Sequence, residues 1–473
     1  MSNGTWIPGE GKERTGLFNW FVSMANYRVS GTKKGIVGIP IKADWGPDNV
    51  LVPCEDAGTL ENTFGVGGTA YLAQRAFSGS KKYKPYRVIT YRMASTTAEY
   101  AVAIISECIK LTAKYKGNRG NDFKVSVSDN IVSSGQKDIC IYEGSTMLKR
   151  YTVKPDDIDN IVNTINNDSE SHIDAIKVKD GMISDVSTLN FAGGDSGFNV
   201  TVNDYLKALA AFETIYLNTL SLDGVTDESF LTTVKSWHKR VWDAGKMVQI
   251  VIGGTHEDDK SPNTGNLRSK NCDHFGLINL IVGGIDSTGN IYSSAEMAPQ
   301  IAGAIAALPL NKALTYKELE DIVDITVNLS DTEIGVATNA GSLVFFKDIN
   351  PETFETTVRV ERGINTFTSI SAEKGEKLRK IKAISTMAAI DYDTGRYALQ
   401  NVIGELDNND DGKAALLSGI KQYLETLVKD NVISDDILIN LSESMSSDGD
   451  MVYLETQAFT IDKIEQIFNK IYL

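Results

Sequence analysis

The chain has 473 residues, and its 62 Asp and Glu side chains outnumber its 47 Lys and Arg side chains, which gives a formal net charge of −15 at pH 7. The length predicts roughly three domains, each large enough to bury a core of its own. The acidic balance argues against binding to nucleic acid or to an anionic membrane surface. No apolar run approaches the ~20 residues that a membrane-spanning helix needs, so membrane insertion is not predicted.

The N-terminal stretch 1–32 is rich in aromatic and apolar residues, but glycine and proline interrupt it too often for a long helix. So many aromatic side chains in a free tail would promote aggregation. We therefore predict an arm that lies against the chain's own body or against a neighbouring copy. The residues expected to make these contacts are Trp6, Leu17, Phe18, Trp20 and Phe21.

Apolar strands alternate with helical patterns after residue 32, including a helix predicted over 59–77. This order predicts a β-α-β domain with a parallel sheet. From residue 97, a predicted helix over 98–109 is followed by short strands between turn clusters, which indicates an inserted β-rich module. The module is assigned to 97–195, and the α/β domain to the flanking segments 33–96 and 196–346.

The last third of the chain is predicted to form an α+β domain over 347–450, with helices over 377–390, 395–403 and 413–429. A C-terminal arm, 451–473, begins with a strand-like pattern and ends on apolar residues. The predicted fold class is thus a multidomain α/β and α+β protein flanked by two extended arms. The residues of the C-terminal arm expected to contact a neighbouring subunit are Val452, Tyr453, Phe459, Phe468, Ile471 and Tyr472.

The two apolar ends have a common explanation. Free termini are usually polar and mobile unless they are tied down. Apolar arms at both ends therefore indicate strand exchange, in which an arm adds a β-strand to the sheet of a neighbouring subunit. On the residues alone, packing of both arms on their own domain is an equally good interpretation.

Three local motifs partly match known binding-site motifs, but each of them is incomplete. Glycine pairs at 253–254 and 283–284 follow apolar strands, where an α/β protein can bind phosphate. Neither pair extends to a nucleotide-binding motif, so turns are favoured. The stretch 407–412 resembles the start of an EF-hand loop, but its twelfth position is Ser418 rather than glutamate. A turn whose acids cap the next helix explains that stretch better.

The histidines and cysteines show no metal-ligand or disulfide spacing, so neither a metal site nor a cofactor is predicted. The cysteines are interpreted as buried thiols of a protein folded in a reducing cytoplasm. The residues concerned are His172, His238, His256 and His274 with Cys54, Cys108, Cys140 and Cys272. Two classes of function stay open at this point: an assembly protein built on strand exchange, and an α/β enzyme with an unrecognised active site.

Several stretches, in their order and spacing, give the chain a resemblance that covers essentially its whole length. They are 4–6 with 14–21, 35–41 with 44–47, 111–122, and 358–367 with 380–390. In these stretches the sequence resembles contractile-tail sheath proteins, particularly those of myophages, defective prophages and phage-tail-like bacteriocins of Gram-positive bacteria.

The resemblance implies a structural role without enzymatic activity. Such subunits form hexameric rings stacked around a tail tube, between a baseplate and a tail terminator, and contraction of the sheath drives the tube through a target envelope. Their arms link subunits by completing a small sheet on a neighbour's C-terminal domain. The implied location is a virion tail or a phage-tail-like particle, with synthesis in the bacterial cytoplasm.

The resemblance also implies that the C-terminal domain faces the tube, with the inserted module facing outward. Our hypothesis for the tube contact is a basic concentration within 374–382 of this acidic chain, although a solvated helix start explains it equally well. The tube-facing candidates are Lys374, Lys377, Arg379, Lys380 and Lys382.

Overall fold

The computed structural model describes residues 31–372 and 374–472, together with two short strands near the N-terminus. These strands, β1 (Ser2–Thr5) and β2 (Gly16–Asn19), pair in parallel. The chain divides into two compact units. The smaller unit comprises Met1–Thr32 with Ala389–Ile461, and the larger comprises Lys33–Ala388 with Asp462–Leu473.

The larger unit begins with the predicted β-α-β order. Its first elements are β3 (Ile36–Ile41), β4 (Leu51–Cys54), α1 (Ala57–Phe64), α2 (Ala70–Ser78) and β5 (Arg87–Arg92). Strand β3 pairs with β5 in parallel, and β4 adds to the outer edge of β5 in antiparallel orientation. The single helix predicted over 59–77 was wrong, because Gly65 takes a φ of 73° and ends α1.

The next elements form a β-rich module. They are β6 (Val102–Ile105), β7 (Ile109–Ala113), a 3₁₀ helix (Asn118–Asp122), β8 (Phe123–Asp129), β9 (Lys137–Glu143), β10 (Thr146–Val153), α3 (Ile158–Asn166), β11 (Ile173–Lys177) and β12 (Val186–Asn190). One sheet has the order β10-β9-β8-β12 and the other has the order β11-β7-β6. Their inward side chains bury a separate apolar core that includes Phe123, Ile139 and Ile161.

The helix predicted over 98–109 was wrong, because this segment forms the β6–β7 hairpin. Ser106 and Glu107 both have a positive φ, at 50° and 57°, and Cys108 donates its N–H to the Ile105 carbonyl at 2.9 Å. Two positive φ values in this position are typical of a type I′ hairpin turn. Such turns usually contain Gly or Asn, and neither residue is present here to reveal the turn in the sequence.

The α/β order then resumes. Its elements are α4 (Val202–Phe212), β13 (Thr219–Ser221), α5 (Glu228–Asp243), β14 (Gln249–Ile252), α6 (His256–Asp259), α7 (Pro262–Cys272), β15 (Leu277–Leu280), β16 (Gly284–Asp286), β17 (Ile291–Tyr292), α8 (Ser294–Ala307), β18 (Ile322–Ile325), α9 (Asp331–Asn339) and β19 (Ser342–Leu343). The central sheet has the order β19-β15-β14-β13-β3-β5-β4 and is parallel except for β4. A smaller sheet has the order β17-β16-β18.

Helices cover both faces of the central sheet, as a parallel sheet requires. On one face, α2 and α8 pack against each other and bury an apolar cluster that contains Ile39, Val251 and Ile301. On the other face, a second cluster joins side chains of α4 and α5, such as Leu209 and Trp237, to the sheet.

The last elements are β20 (Phe345–Ile349), β21 (Thr356–Val360), a 3₁₀ helix (Glu376–Arg379), α10 (Ile381–Asn401), α11 (Asp410–Lys429), β22 (Leu438–Leu441) and β23 (Leu454–Gln457). The helices predicted over 377–390 and 395–403 are one continuous helix, α10. Helix α11 begins three residues before its predicted start at 413, and its N-cap is Asn409, which accepts the N–H of Gly412 at 2.9 Å, rather than one of the acids.

The module is joined to the central domain by an aromatic side chain. Trp45, which follows β3, is only 3% exposed and belongs to the core of the module. Its ring lies 5.1 Å from that of Tyr115 and 5.2 Å from that of Phe123, in edge-to-face arrangements. Edge-to-face aromatic pairs add to the gain from burial, so Trp45 ties the two regions together.

A buried arginine strengthens the same joint. The guanidinium of Arg92, at the end of β5, donates to the carbonyls of Ala43 and Gly46, and also to that of Lys116 at 2.9 Å. A Cβ on Gly117 would lie 1.9 Å from the Asp44 carbonyl oxygen, so glycine allows the two backbones to touch. The stretches 44–47 and 111–122, noted separately in the sequence, therefore meet here.

The observed architecture confirms the predicted fold class, a multidomain protein with mixed α and β structure. The predicted domain boundaries stay predictions. None of the described helices is both long enough and apolar enough to cross a membrane.

Candidate assembly interface

A two-stranded sheet occupies the end of the smaller unit. Strands β22 and β23 are antiparallel, with Leu438 opposite Gln457 and Leu441 opposite Leu454. The pairing continues toward residue 461, because Ser434 donates its N–H to the Phe459 carbonyl at 2.8 Å. This confirms the strand-like pattern predicted at the start of the C-terminal arm.

Both outer edges of this sheet are open within the described residues, since neither β22 nor β23 pairs with a third strand there. An isolated two-stranded sheet is marginally stable in water, and open edges can accept strands from other chains. Helix α11 packs against β22 and supports one face. The sheet therefore offers two edges at which a further strand could add.

The base of the smaller unit consists of α11 and the residues of α10 from Ala389 onward. Tyr423 of α11 donates its hydroxyl to Asp393 of α10 at 2.7 Å, and the Thr32 N–H donates to the same carboxylate at 3.0 Å. A Cβ on Gly419 would lie 2.1 Å from the Tyr397 hydroxyl oxygen, so glycine lets the two helices approach closely. The base is thus fixed by packing and by a shared carboxylate.

The C-terminal segment 462–472 belongs to the larger unit and is neither helix nor strand. Its large apolar side chains face solvent in the single chain, with exposed fractions from 72% to 90%. The residues are Ile464, Ile467, Phe468, Ile471 and Tyr472. Contiguous exposed apolar groups of this kind mark interaction sites.

The remaining predicted arm residues differ in what is described of them. Phe459 is 46% exposed, whereas Val452 and Tyr453 are half-buried. Leu17 and Phe18 lie in β2, but their side chains are outside the described part of the chain. The predictions for Trp6, Trp20 and Phe21 also fall outside the described residues.

The structure separates the five basic candidates of 374–382 by their surroundings. Lys374 and Lys377 are exposed. Arg379 donates to the Thr338 carbonyl at 2.6 Å, and Lys380 forms an ion pair with Glu465. Lys382 is buried, and its pKa falls to about 8 because burial and the neighbouring Lys463 disfavour its charged form.

The two glycine pairs lie at close contacts between backbone segments. A Cβ on Gly253 would lie 2.2 Å from the Ser294 carbonyl carbon, and one on Gly283 would lie 2.1 Å from the Tyr292 carbonyl oxygen. Glycine is needed at Gly253 because α8 begins directly against the end of β14, and at Gly283 because the backbone of β17 lies against it. Gly253 and Gly254 lie in the connection after β14, but the prediction of a turn was wrong for the second pair, because Gly284 begins strand β16.

Two of the histidines meet in an aromatic cluster. The rings of His238 and His274 are 4.9 Å apart, and both pack against Trp242. Burial lowers the pKa of His238 to about 3 and that of His274 to about 4, so both are neutral at pH 7. Within the described residues, no group of three or more His, Cys, Asp or Glu side chains could hold a metal ion.

Three family models match consecutive parts of the chain. The phage tail sheath protein beta-sandwich domain matches residues 94–226, and the phage tail sheath protein central domain matches 199–366. The phage tail sheath C-terminal domain matches 373–473. Together the three models cover the chain from residue 94 to its end, apart from six residues.

Individual proteins agree with these models. The phage-like element PBSX protein XkdK of Bacillus subtilis strain 168 is 25% identical over 99% of both chains. The crystal structure of a sheath tail protein from Desulfitobacterium hafniense shares the fold, with a TM-score of 0.75 and 24% identity over 96% of this chain and 99% of that one.

A sheath structure in the contracted state also shares the fold. The helical sheath protein of the anti-feeding prophage has a TM-score of 0.55 and 10% identity, over 98% of this chain and 99% of that one. Three sheath-domain models in consecutive order, with these full-length relatives, leave one conclusion. The chain belongs to the phage tail sheath protein family, whose members are structural components of contractile tails.

Proposed function

We propose that this chain assembles into stacked hexameric rings around a tail tube, and that contraction of this sheath drives the tube through a target cell envelope. The partners would be further copies of the chain, the tail tube protein, the baseplate and the tail terminator. Assembly would follow synthesis in the bacterial cytoplasm. The structural role of the family argues against the alternative of an α/β enzyme with an unrecognised active site.

The observation that carries this proposal is that one chain has both open sheet edges and exposed apolar side chains. The sheet of β22 and β23 has open edges within the described residues, and segment 462–472 exposes five large apolar side chains. Strand addition would satisfy the first, and burial against a neighbour would satisfy the second. We infer that arms of neighbouring subunits complete this sheet.

Truncation of the arms tests the proposal. Deletion of 1–31 or of 462–473 should leave a folded chain that stays monomeric in sedimentation velocity, while the full chain forms sheath-like tubes in electron micrographs. The second deletion stops after β23 because removal of that strand would also unfold the small sheet. Tubes of normal length from both truncated chains would contradict the proposal.

The proposal also includes a contact between this chain and the tail tube. Lys374 and Lys377 are the exposed members of the basic segment and are the candidates to face an acidic tube. Reversal of both charges to glutamate should weaken assembly on tubes at low salt, where electrostatic attraction is least screened. Reversal of Lys260 and Lys270, which are exposed elsewhere, is the control. Unchanged assembly on tubes at low salt would refute this contact.

A further inference from the structure

A largely buried carboxylate joins the C-terminal segment 462–472 to the rest of the larger unit. Glu465 accepts hydrogen bonds from the Thr315 hydroxyl at 2.8 Å and from Arg362 Nη2 at 3.1 Å, and it pairs with the Lys380 ammonium. Its side chain is only 11% exposed, although its apolar neighbours in the segment face solvent. Glu465 thus supplies several of the hydrogen bonds and ion pairs that join the segment to the rest of this unit.

The groups that bind Glu465 are held in place by other bonds. The Thr315 hydroxyl oxygen accepts the Gly363 N–H at 2.9 Å, next to Arg362. The backbone of 363–365 is tied to that of 379–381, because Asn365 donates to the Arg379 carbonyl and Ile381 donates to the Gly363 carbonyl. The backbone that carries Thr315, Arg362 and Lys380 is therefore fixed by contacts that do not involve Glu465.

The charges of this site make the carboxylate necessary. Burial alone would raise the pKa of Glu465, but hydrogen bonds from Lys380 and Thr315 and the charge of Lys380 hold it below its ordinary value. The carboxylate is thus ionised at neutral pH. Removal of Glu465 would leave two partly buried cations beside each other without a counter-ion, which is costly.

We propose that Glu465 is a positioning residue, which fixes where the apolar tip 466–472 leaves the subunit and keeps the tip near the surface from which it docks onto a second copy of this chain. The inference rests on the proposed function, in which the arms link subunits. A tip held at its root has less freedom to lose on docking, and this lowers the cost of association. In this interpretation, Lys380 serves the arm of its own chain.

The experiment compares Glu465→Ala with Asp462→Asn in the full-length chain. Asp462 is the exposed carboxylate of the same segment and serves as the matched control. Trypsin should cut after Lys470, a bond remote from both substitutions, faster in the Glu465 variant, and mass spectrometry should detect the shortened chain. The critical concentration for tube formation should rise about tenfold, which corresponds to about 1.4 kcal/mol at 25 °C. Asp462→Asn should change neither quantity.

A charge exchange keeps the inference testable if the alanine variant folds poorly. Glu465→Lys should impair assembly more than alanine, because it adds a third cation to the site. Adding Lys380→Glu to that variant should recover protection of the bond after Lys470 and part of the assembly. If the double variant recovers both protection and assembly, the ion pair itself is responsible. A merely structural role of either residue would not produce this result.

The outcomes separate this inference from the proposed function. If deletion of 462–473 abolishes tubes and Glu465→Ala assembles at the normal concentration with normal trypsin protection, the positioning role is wrong and the proposed function stands. If the deletion itself leaves tubes intact, the arm linkage is wrong. Faster cleavage without any change in assembly would also overturn the positioning role.

Discussion

The inserted module and the C-terminal segment differ in the burial of their apolar side chains. The module buries its own core between two sheets and a helix. Segment 462–472 leaves five large apolar side chains at least 72% exposed. A region that closes its own core gains its stability within the chain, whereas a region that exposes such groups gains it from a partner. The difference supports the proposal that the segment, rather than the module, serves assembly.

The module also protects one edge against unwanted strand addition. The side chain of Asn166, at the end of α3, donates to the Ala175 carbonyl at 2.9 Å and accepts the Ala175 N–H at 2.8 Å. These bonds occupy the N–H and the carbonyl of Ala175 in the edge strand β11. Natural sheets commonly cover exposed edges in such ways to prevent aggregation. The sheet of β22 and β23 has no such cover within the described residues.

One residue, Trp45, is an exception to this comparison. Its replacement should have the largest effect on stability. Trp45 comes from the central domain but fills the core of the module. Trp45→Ala should therefore lower the free energy of unfolding of the module by roughly 3–5 kcal/mol, the usual cost of truncating a buried aromatic residue. Native-state hydrogen exchange at β8 and β9 measures this loss of unfolding free energy.

The control for this variant is Ile131→Ala, at a hairpin tip of the same module where the side chain is fully exposed. It should change the stability by less than about 0.5 kcal/mol. Equal protection of β8 and β9 in Trp45→Ala and in the parent would mean that the module folds without the tryptophan.

A smaller effect is expected at the protected edge. Asn166→Ala removes two hydrogen bonds to Ala175 and should cost about 1–2 kcal/mol, because buried backbone groups lose their partners. It should also increase concentration-dependent aggregation, measured by light scattering. Asn163→Ala, at an exposed position of the same helix, is the matched control. If both variants aggregate alike, the edge is protected by something other than Asn166.

The smallest effect on stability, with a large effect on assembly, is expected in the C-terminal segment. Phe468 is 90% exposed in the single chain. Phe468→Ser should change the unfolding free energy by about 0.5 kcal/mol or less, yet it should reduce tube formation strongly. Val132→Ser, at a 92% exposed position of the module, should leave both quantities unchanged. If Phe468→Ser forms normal tubes, the exposed apolar side chains of the segment matter no more for assembly than those of the module.

The sequence by itself determined the features that depend on local patterns. Apolar runs and helical periodicity placed the strands and helices of the central sheet, and punctuation by glycine and serine marked a β-rich insertion. The apolar character of the C-terminal arm was also evident, as was a helix start within three residues of that of α11. Such features are encoded within a few residues of each other, so no knowledge of distant contacts is needed to recognise them.

Only the tertiary structure decided which distant residues meet. The hairpin at 105–109 lacks the usual turn residues, so its pattern could not be distinguished from a helix. The basic segment appeared as one surface in the sequence, but the structure directs Lys380 to Glu465 and buries Lys382. Trp45 and Tyr115 meet across 70 residues, as do Arg362 and Glu465 across 103. Local periodicity shows which side of an element is buried, but the packing of the whole chain selects the partner that lies against it.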